Sequence, residues 1–161
     1  MATDFYIKFD EVVGEATDAN HEEWSEILSW RHQFLQPGTS RGGHGPNPEK
    51  ITHLPLTFHK RLDTATIDIL KYCWSGKDFE TVTIECFRAA GEESNKYLTI
   101  ELKDVIVSDY SIEVSEGDLP IESISLTYSK VTYIYTEKDK ENSEDKGQMP
   151  VSTDLKNNIT E

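Results

Sequence analysis

The pattern that most limits this chain is a two-residue alternation of apolar and polar side chains, interrupted repeatedly by turn-forming residues. Successive side chains of a strand point to opposite faces, so such alternation marks antiparallel strands with one face buried and the other wet. It predicts strands over residues 5–9, 25–34, 51–58, 81–88, 97–107 and 121–135, with turns at 91–95 and 116–120. In the second of these, Leu28, Trp30 and Phe34 fall on one face, read as core, and Ser29, Arg31 and Gln33 on the other, read as wet. The last segment is far longer than the usual strand of about 5–6 residues, so strong twist or a bulge is expected there.

The interruptions have different characters. Residues 10–23 form an acidic loop containing Gly14, too polar to bury. Residues 36–50 hold Pro37, Gly38, Gly42, Gly43, Gly45, Pro46 and Pro48, which disfavours regular structure and predicts a long, protruding loop suited to binding or assembly. No Gly-Lys-Ser/Thr follows its glycines, so it is no phosphate cradle. Residues 64–75 read as the one helix: Asp63 or Thr64 can cap it, Ile67, Leu70 and Trp74 make an apolar stripe for the sheet, and Gly76 ends it.

Several long antiparallel strands and one helix predict a mainly β chain, closed or nearly closed into a barrel, because closure removes exposed edges. One β-barrel domain is expected over residues 1–136. Residues 137–161, with seven acids and four bases, read as a polar C-terminal tail with a short docking segment around 151–155.

Charge narrows the function classes. Sixteen Lys and Arg face 30 Asp and Glu, a net charge of −14, and the first 26 residues carry eight acids against Lys8 alone. Phosphate binding needs a basic face, so nucleic acid is a poor partner. No apolar run approaches the ~20 residues of a membrane span, and residues 1–9 lack the basic start and apolar stretch of a secretory leader. Synthesis in the cytoplasm without a signal peptide is expected. Cys73 and Cys86 read as reduced core residues.

Catalytic motifs are missing. The histidines, at 21, 32, 44, 53 and 59, have no zinc-site spacing, and His21-Glu22-Glu23 lacks the second histidine of a zincin. There is no Gly-x-Ser-x-Gly elbow, and the acidic loop lacks the one-three-five pattern of a calcium site. Asn158-Ile-Thr160 matches a glycosylation acceptor by coincidence of sequence. No catalytic residue, metal or cofactor is expected.

Taken in order, several segments resemble the haemolysin-coregulated protein family, the tail-tube subunits of type VI secretion systems. They are Phe5-Tyr-Ile-Lys-Phe-Asp10, Gly14-Glu-Ala-Thr-Asp18 with His21, Trp24-Ser-Glu-Ile-Leu-Ser-Trp30, Leu56-Thr-Phe-His-Lys-Arg-Leu-Asp63, Cys73-Trp-Ser-Gly76, Val105-Ile-Val-Ser108 and Ile124-Ser-Leu-Thr-Tyr-Ser-Lys-Val131. The chain departs from the family pattern at Arg31-His32, where members often carry a small residue, and at Ile67, where many carry proline.

The resemblance implies a two-sheet antiparallel β-barrel with one helix, assembled as a homohexameric ring. Rings stack into a tube inside a contractile sheath, are expelled with a spike to the extracellular space or a target cell, and carry small effector proteins in the lumen. It implies no enzymatic activity, no nucleic-acid partner and no membrane insertion. On this reading Ser29, Arg31 and Gln33 face the lumen and contact effectors, and Gly38, Thr39, Ser40, Arg41, Gly42, Gly43, His44 and Gly45 form the ring-stacking arm. The alternative is a monomeric β-barrel that holds a small ligand in its interior.

Overall fold

The computed structural model describes residues 3–36, 51–90, 93–138 and 145–161. In chain order its elements are β1 (Thr3–Phe9), β2 (Ser25–Ile27), β3 (Ser29–Arg31), β4 (Phe34–Leu35), β5 (Thr52–His53), β6 (Leu56–Arg61), α1 (Ala65–Ser75), β7 (Phe79–Ala90), β8 (Glu93–Glu113), β9 (Ile121–Thr127), β10 (Lys130–Lys138), β11 (Asp145–Asp154) and β12 (Ile159–Thr160). Pairing is antiparallel throughout the described residues. One ladder runs β12-β11-β10-β8-β7-β1-β2, a second runs β3-β6-β9-β8, and β4-β5 is a separate ribbon.

The fold is mainly β with one helix, as the alternation requires, but the sheets do not close into a barrel. They meet at corners where the chain changes sheet. β8, 21 residues long, pairs with β7 and β10 in its first half and with β9 in its second, with a register shift between Val107 and Asp109. At the opposite corner β2 stays with β1 and β3 with β6, while the Leu28 amide between them donates to the His59 carbonyl at 2.7 Å. Bends and bulges of this kind let one strand serve two facing sheets without a continuous ring of ladders.

The core lies between the sheets. Ile7, Phe9, Ile84 and Ile100 from the large one meet Leu56, Phe58, Ile124 and Leu126 from the smaller, all but closed to solvent. Burial of side chains this size contributes about 1.5–3 kcal/mol each, which sets the register of both sheets.

α1 is where the sequence places it, and Asp63 is the cap: its Oδ1 accepts the Ala65 amide at 3.0 Å, while Thr66 Oγ1 accepts the Asp63 amide at 3.1 Å. Gly76, at φ 68, takes the left-handed conformation that ends the helix. The buried face is not the expected one. Ala65, Thr66 and Ile69 face inward and Tyr72 stacks on Phe79 at 4.0 Å, whereas Ile67 and Trp74 are 71% and 81% exposed.

Three expected strands are broken. Residues 121–135 run along β8 as β9 and then β10, parted by a bend at Tyr128-Ser129 where the chain passes from the small sheet to the large one, and the uninterrupted long strand with a register shift is β8. Residues 51–58 part at Leu54-Pro55, where proline offers no amide to a ladder. Residues 25–34 become β2, β3 and β4; the kink at Leu28 swaps faces, so Ser25 and Ile27 are buried while Leu28 and Phe34 are exposed.

The acidic loop is anchored rather than free. Val12 and His21 are each 3% exposed, and the Gly14 and Ala16 amides donate to the carbonyls of Glu23 and Trp24 at 2.7 and 2.8 Å. A Cβ on Gly14 would stand 2.5 Å from Ser25 Oγ and press on the Trp24 carbonyl, so the close approach requires glycine. The expected polar tail is likewise structured from Asp145 onward. β11 pairs along the whole of β10, and β12 folds back on its end. Backbone ladders hold a strand whatever its polarity, and Pro150 lies on β11 short of Thr153 and Asp154, where β12 pairs, so among the described residues no ladder on that side needs its amide.

Candidate functional site

The outward face of the small sheet is polar by construction. Register sets Arg31, Thr57, Ser125 and Asp109 in one row across β3, β6, β9 and β8, and Ser29, His59, Ser123 and Ser111 in the next. The other face of the same strands carries Trp30, Phe58, Ile124 and Tyr110 into the core. Period-two geometry thus divides four strands between an apolar and a hydroxyl-rich surface.

Within that face Thr57 Oγ1 and Ser125 Oγ share a hydrogen bond of 2.8 Å, and Ser29 Oγ lies 3.2 Å from His59 Nδ1. Arg31 Nη2 donates to Gln33 Oε1 at 3.0 Å. Of the three residues expected to share a face, Arg31 and Gln33 are therefore coupled, and Ser29 turns to β6. Arg31 is exposed and Gln33 half-buried. The candidate stacking arm, Gly38 to Gly45, lies outside the described residues.

Behind this surface a charged group is sealed in the core. Lys60 Nζ donates to Asp63 Oδ1 at 2.7 Å, Thr66 Oγ1 at 3.2 Å and the Arg61 carbonyl at 3.2 Å, and lies 2.6 Å from Glu122 Oε2. Tyr110 donates to Glu122 Oε1 at 2.7 Å, and Ser25 to Asp63 Oδ2 at 2.7 Å. Burial, then the bond to Glu122, pushes the Tyr110 hydroxyl well above the ordinary phenol range. The cluster ties β2, β6, β8, β9 and the start of α1 together, rigidifying the polar face from beneath.

A second buried polar group pins the acidic loop. His21 stacks on Tyr6 with centroids 4.1 Å apart, meets Trp24 and Phe87 edge-on, contacts Asp18 through Nδ1 and lies 3.3 Å from Glu85 through Nε2. The hydrogen bond to His21 holds the Asp18 carboxyl below its usual range. Burial, reinforced by Asp18, raises the Tyr6 hydroxyl to about 12. Among the described residues no three His, Cys, Asp or Glu are grouped to hold a metal ion.

The chain's relatives share this architecture. Residues 6–135 match the model of the family described as "Type VI secretion system effector, Hcp". The chain belongs to the Hcp family. It is 31% identical over 160 residues to protein hcp1 of Pseudomonas aeruginosa, covering 99% of both chains. Among solved structures it is similar to one titled "Structure of a type six secretion system protein", with a TM-score of 0.91, 29% identity and coverage of 99% and 100% of the two chains. Hcp1 of Salmonella typhimurium aligns over 100% of both chains at 27% identity, with a TM-score of 0.80.

Within the Hcp fold, Ser29 and Arg31 lie on the wet face that their strand's alternation indicates, but sequence reasoning missed their neighbours on it. Thr57, His59, Ser123, Ser125, Asp109 and Ser111 come from three other strands. The alternations Leu56-Thr-Phe-His-Lys and Ile121-Glu-Ser-Ile-Ser-Leu already carried the signal. What joins them is strand register, which has no local signature. Among the described residues no helix is long and apolar enough to cross a membrane.

Proposed function

We propose that this chain is a structural subunit of a type VI secretion tube, closing into six-membered rings that stack, are expelled by sheath contraction with the spike, and hold small effectors in the lumen. The observation that carries the reading is the exposed pair Ile67 and Trp74 flanking half-buried Leu70 on α1 of an Hcp-family chain. A monomer gains nothing from presenting a tryptophan to water, whereas a copy-to-copy interface covers it. A second apolar set, Tyr135, Met149, Val151 and Ile159, stands exposed on β10, β11 and β12. Ring closure joins two different patches of one surface, and these two supply them.

The polar face of β3, β6, β9 and β8 is then the lumen wall, with Ser29, Arg31 and Gln33 among its contacts for cargo. Gly38 to Gly45 form the arm that reaches the next ring. The subunit acts by assembly, without catalysis or cofactor. Negative-stain imaging of the purified protein tests this: ring-shaped particles with an open centre are expected, and featureless particles the size of one subunit would overturn it.

A further inference from the structure

The β4-β5 ribbon belongs to neither sheet. It is tied to them through rings. His32, just before β4, places Nδ1 2.6 Å from the Tyr133 hydroxyl and Nε2 2.6 Å from the Tyr128 hydroxyl, and His53 of β5 places Nδ1 2.8 Å from Tyr128. Phe34 packs between His32, His53 and Tyr133, with centroids 4.3, 5.1 and 6.1 Å away. We infer that His32, His53, Tyr128 and Tyr133 form an acid-sensitive latch that docks the β4-β5 ribbon onto β10 and the bend between β9 and β10 while both imidazoles are neutral.

Proton counting supports the neutral form. Each neutral imidazole and each hydroxyl brings one hydrogen, and a one-way chain uses three of the four: His53 Nδ1–H to Tyr128, Tyr128 O–H to His32 Nε2 and His32 Nδ1–H to Tyr133, whose own hydrogen lies outside the chain. A proton added to His32 goes on Nε2, makes both its nitrogens donors and leaves the Tyr128 hydrogen to find a new acceptor. A second, on His53, aims two cations at the single oxygen of Tyr128. His53 Nε2 is buried and has no hydrogen-bond partner, so a proton there would have no acceptor.

Among the described residues nothing facing His32 balances such a charge. Its titratable neighbours there are His53 from β5, Tyr128 from the bend between β9 and β10, and Tyr133 from β10. Cys86 of β7 lies behind Tyr133 with its thiol raised to about 11, and Arg31, next to it in the chain, is another cation. Burial, then the charge on His53, lowers the His32 imidazole from 6.5 to about 4, and burial lowers His53. A released ribbon binds more protons than a docked one between those values, so docking is fully favoured above pH ~6.5 and weakens as pH falls toward 4. With allowance for water reaching the half-buried ring, the docked-to-released ratio falls by roughly 100-fold over that window.

The test follows the His32 ring by NMR in the full chain from pH 7.5 to 4, together with hydrogen exchange of the amides at 33–35 and 52–54, corrected for intrinsic pH dependence. A ring that titrates well below 6.5, with ribbon protection falling tenfold or more between pH 7 and 4.5 while β7 and β8 stay protected, is expected. His32→Phe should leave ribbon protection independent of pH. Constant protection in the native chain, an ordinary titration near 6.5, or the same fall in a folded His32→Phe variant would each overturn the latch. Where that variant does not fold, the native ring titration and exchange profile decide.

Discussion

Lys60 Nζ lies 2.6 Å from Glu122 Oε2 with both side chains shut off from solvent, yet its N–H groups point elsewhere, to Asp63, Thr66 and the Arg61 carbonyl. Glu122 Oε2 is thus held by charge without a hydrogen bond of its own. Removing one partner strands a buried charge, while replacing both with apolar groups removes the desolvation cost as well. Lys60→Met should destabilise the fold by about 3–5 kcal/mol, and Lys60→Met with Glu122→Leu should recover most of that loss. Denaturant titration of the two single variants and the double variant measures the coupling directly.

Gly14 is the tightest backbone approach in the acidic loop. Gly14→Ala forces a methyl group against Trp24 and Ser25 and should destabilise by about 1–3 kcal/mol. The Ala16 amide, which donates to the Trp24 carbonyl, should lose exchange protection before the β7-β8 ladder does. Thermal melting and site-resolved exchange check both parts.

Trp74 separates folding from assembly. At 81% exposed it contributes little to the single chain, so Trp74→Glu should change monomer stability by no more than about 0.5 kcal/mol. The same change places a charge in the proposed copy-to-copy contact and should abolish rings at concentrations where the native protein forms them. Parallel denaturation and sedimentation experiments distinguish this from simple misfolding.

Arg31 is an exposed cation on the polar face, held toward Gln33. Arg31→Ser should weaken retention of an acidic cargo protein several-fold at low salt and little at 0.5 M, where the screening length falls to a few ångströms. Pull-down across a salt series reads the effect, and retention that does not respond to the substitution at any salt removes Arg31 from the contact.

What could be read from the sequence depended on which force set the structure. β1, β7 and α1 follow local alternation, helical spacing and terminal residues, and the chain carries those openly. The helix face went astray because Ile67, Leu70 and Trp74 are bulkier than Ala65, Thr66 and Ile69, yet Ile67 and Trp74 stay outside and Leu70 is only half-buried. Single-chain reasoning assigns the most apolar stripe to its own core, and the proposed copy-to-copy contact would account for the exception. The break between β9 and β10 was hidden because the chain keeps its direction along β8 and Tyr128-Ser129 includes neither glycine nor proline to mark it.

The polar face was half legible for a related reason. Ser29 and Arg31 stand out on their own strand, but Asp109 reaches the Arg31 row only through Thr57 and Ser125. The Lys60–Glu122 pair was invisible, since charged residues are almost always solvated and only the fold shows these two in the core. β11 was concealed by its polarity, because a ladder of backbone hydrogen bonds needs no apolar side chains.

The molar mass of the purified protein in solution, by size-exclusion chromatography with light scattering, tests the assembly claim most directly. A main species at six times the 18.4 kDa subunit mass, reduced to one subunit by Trp74→Glu, is the predicted result. A stable 18.4 kDa species for the native protein at high concentration would contradict it.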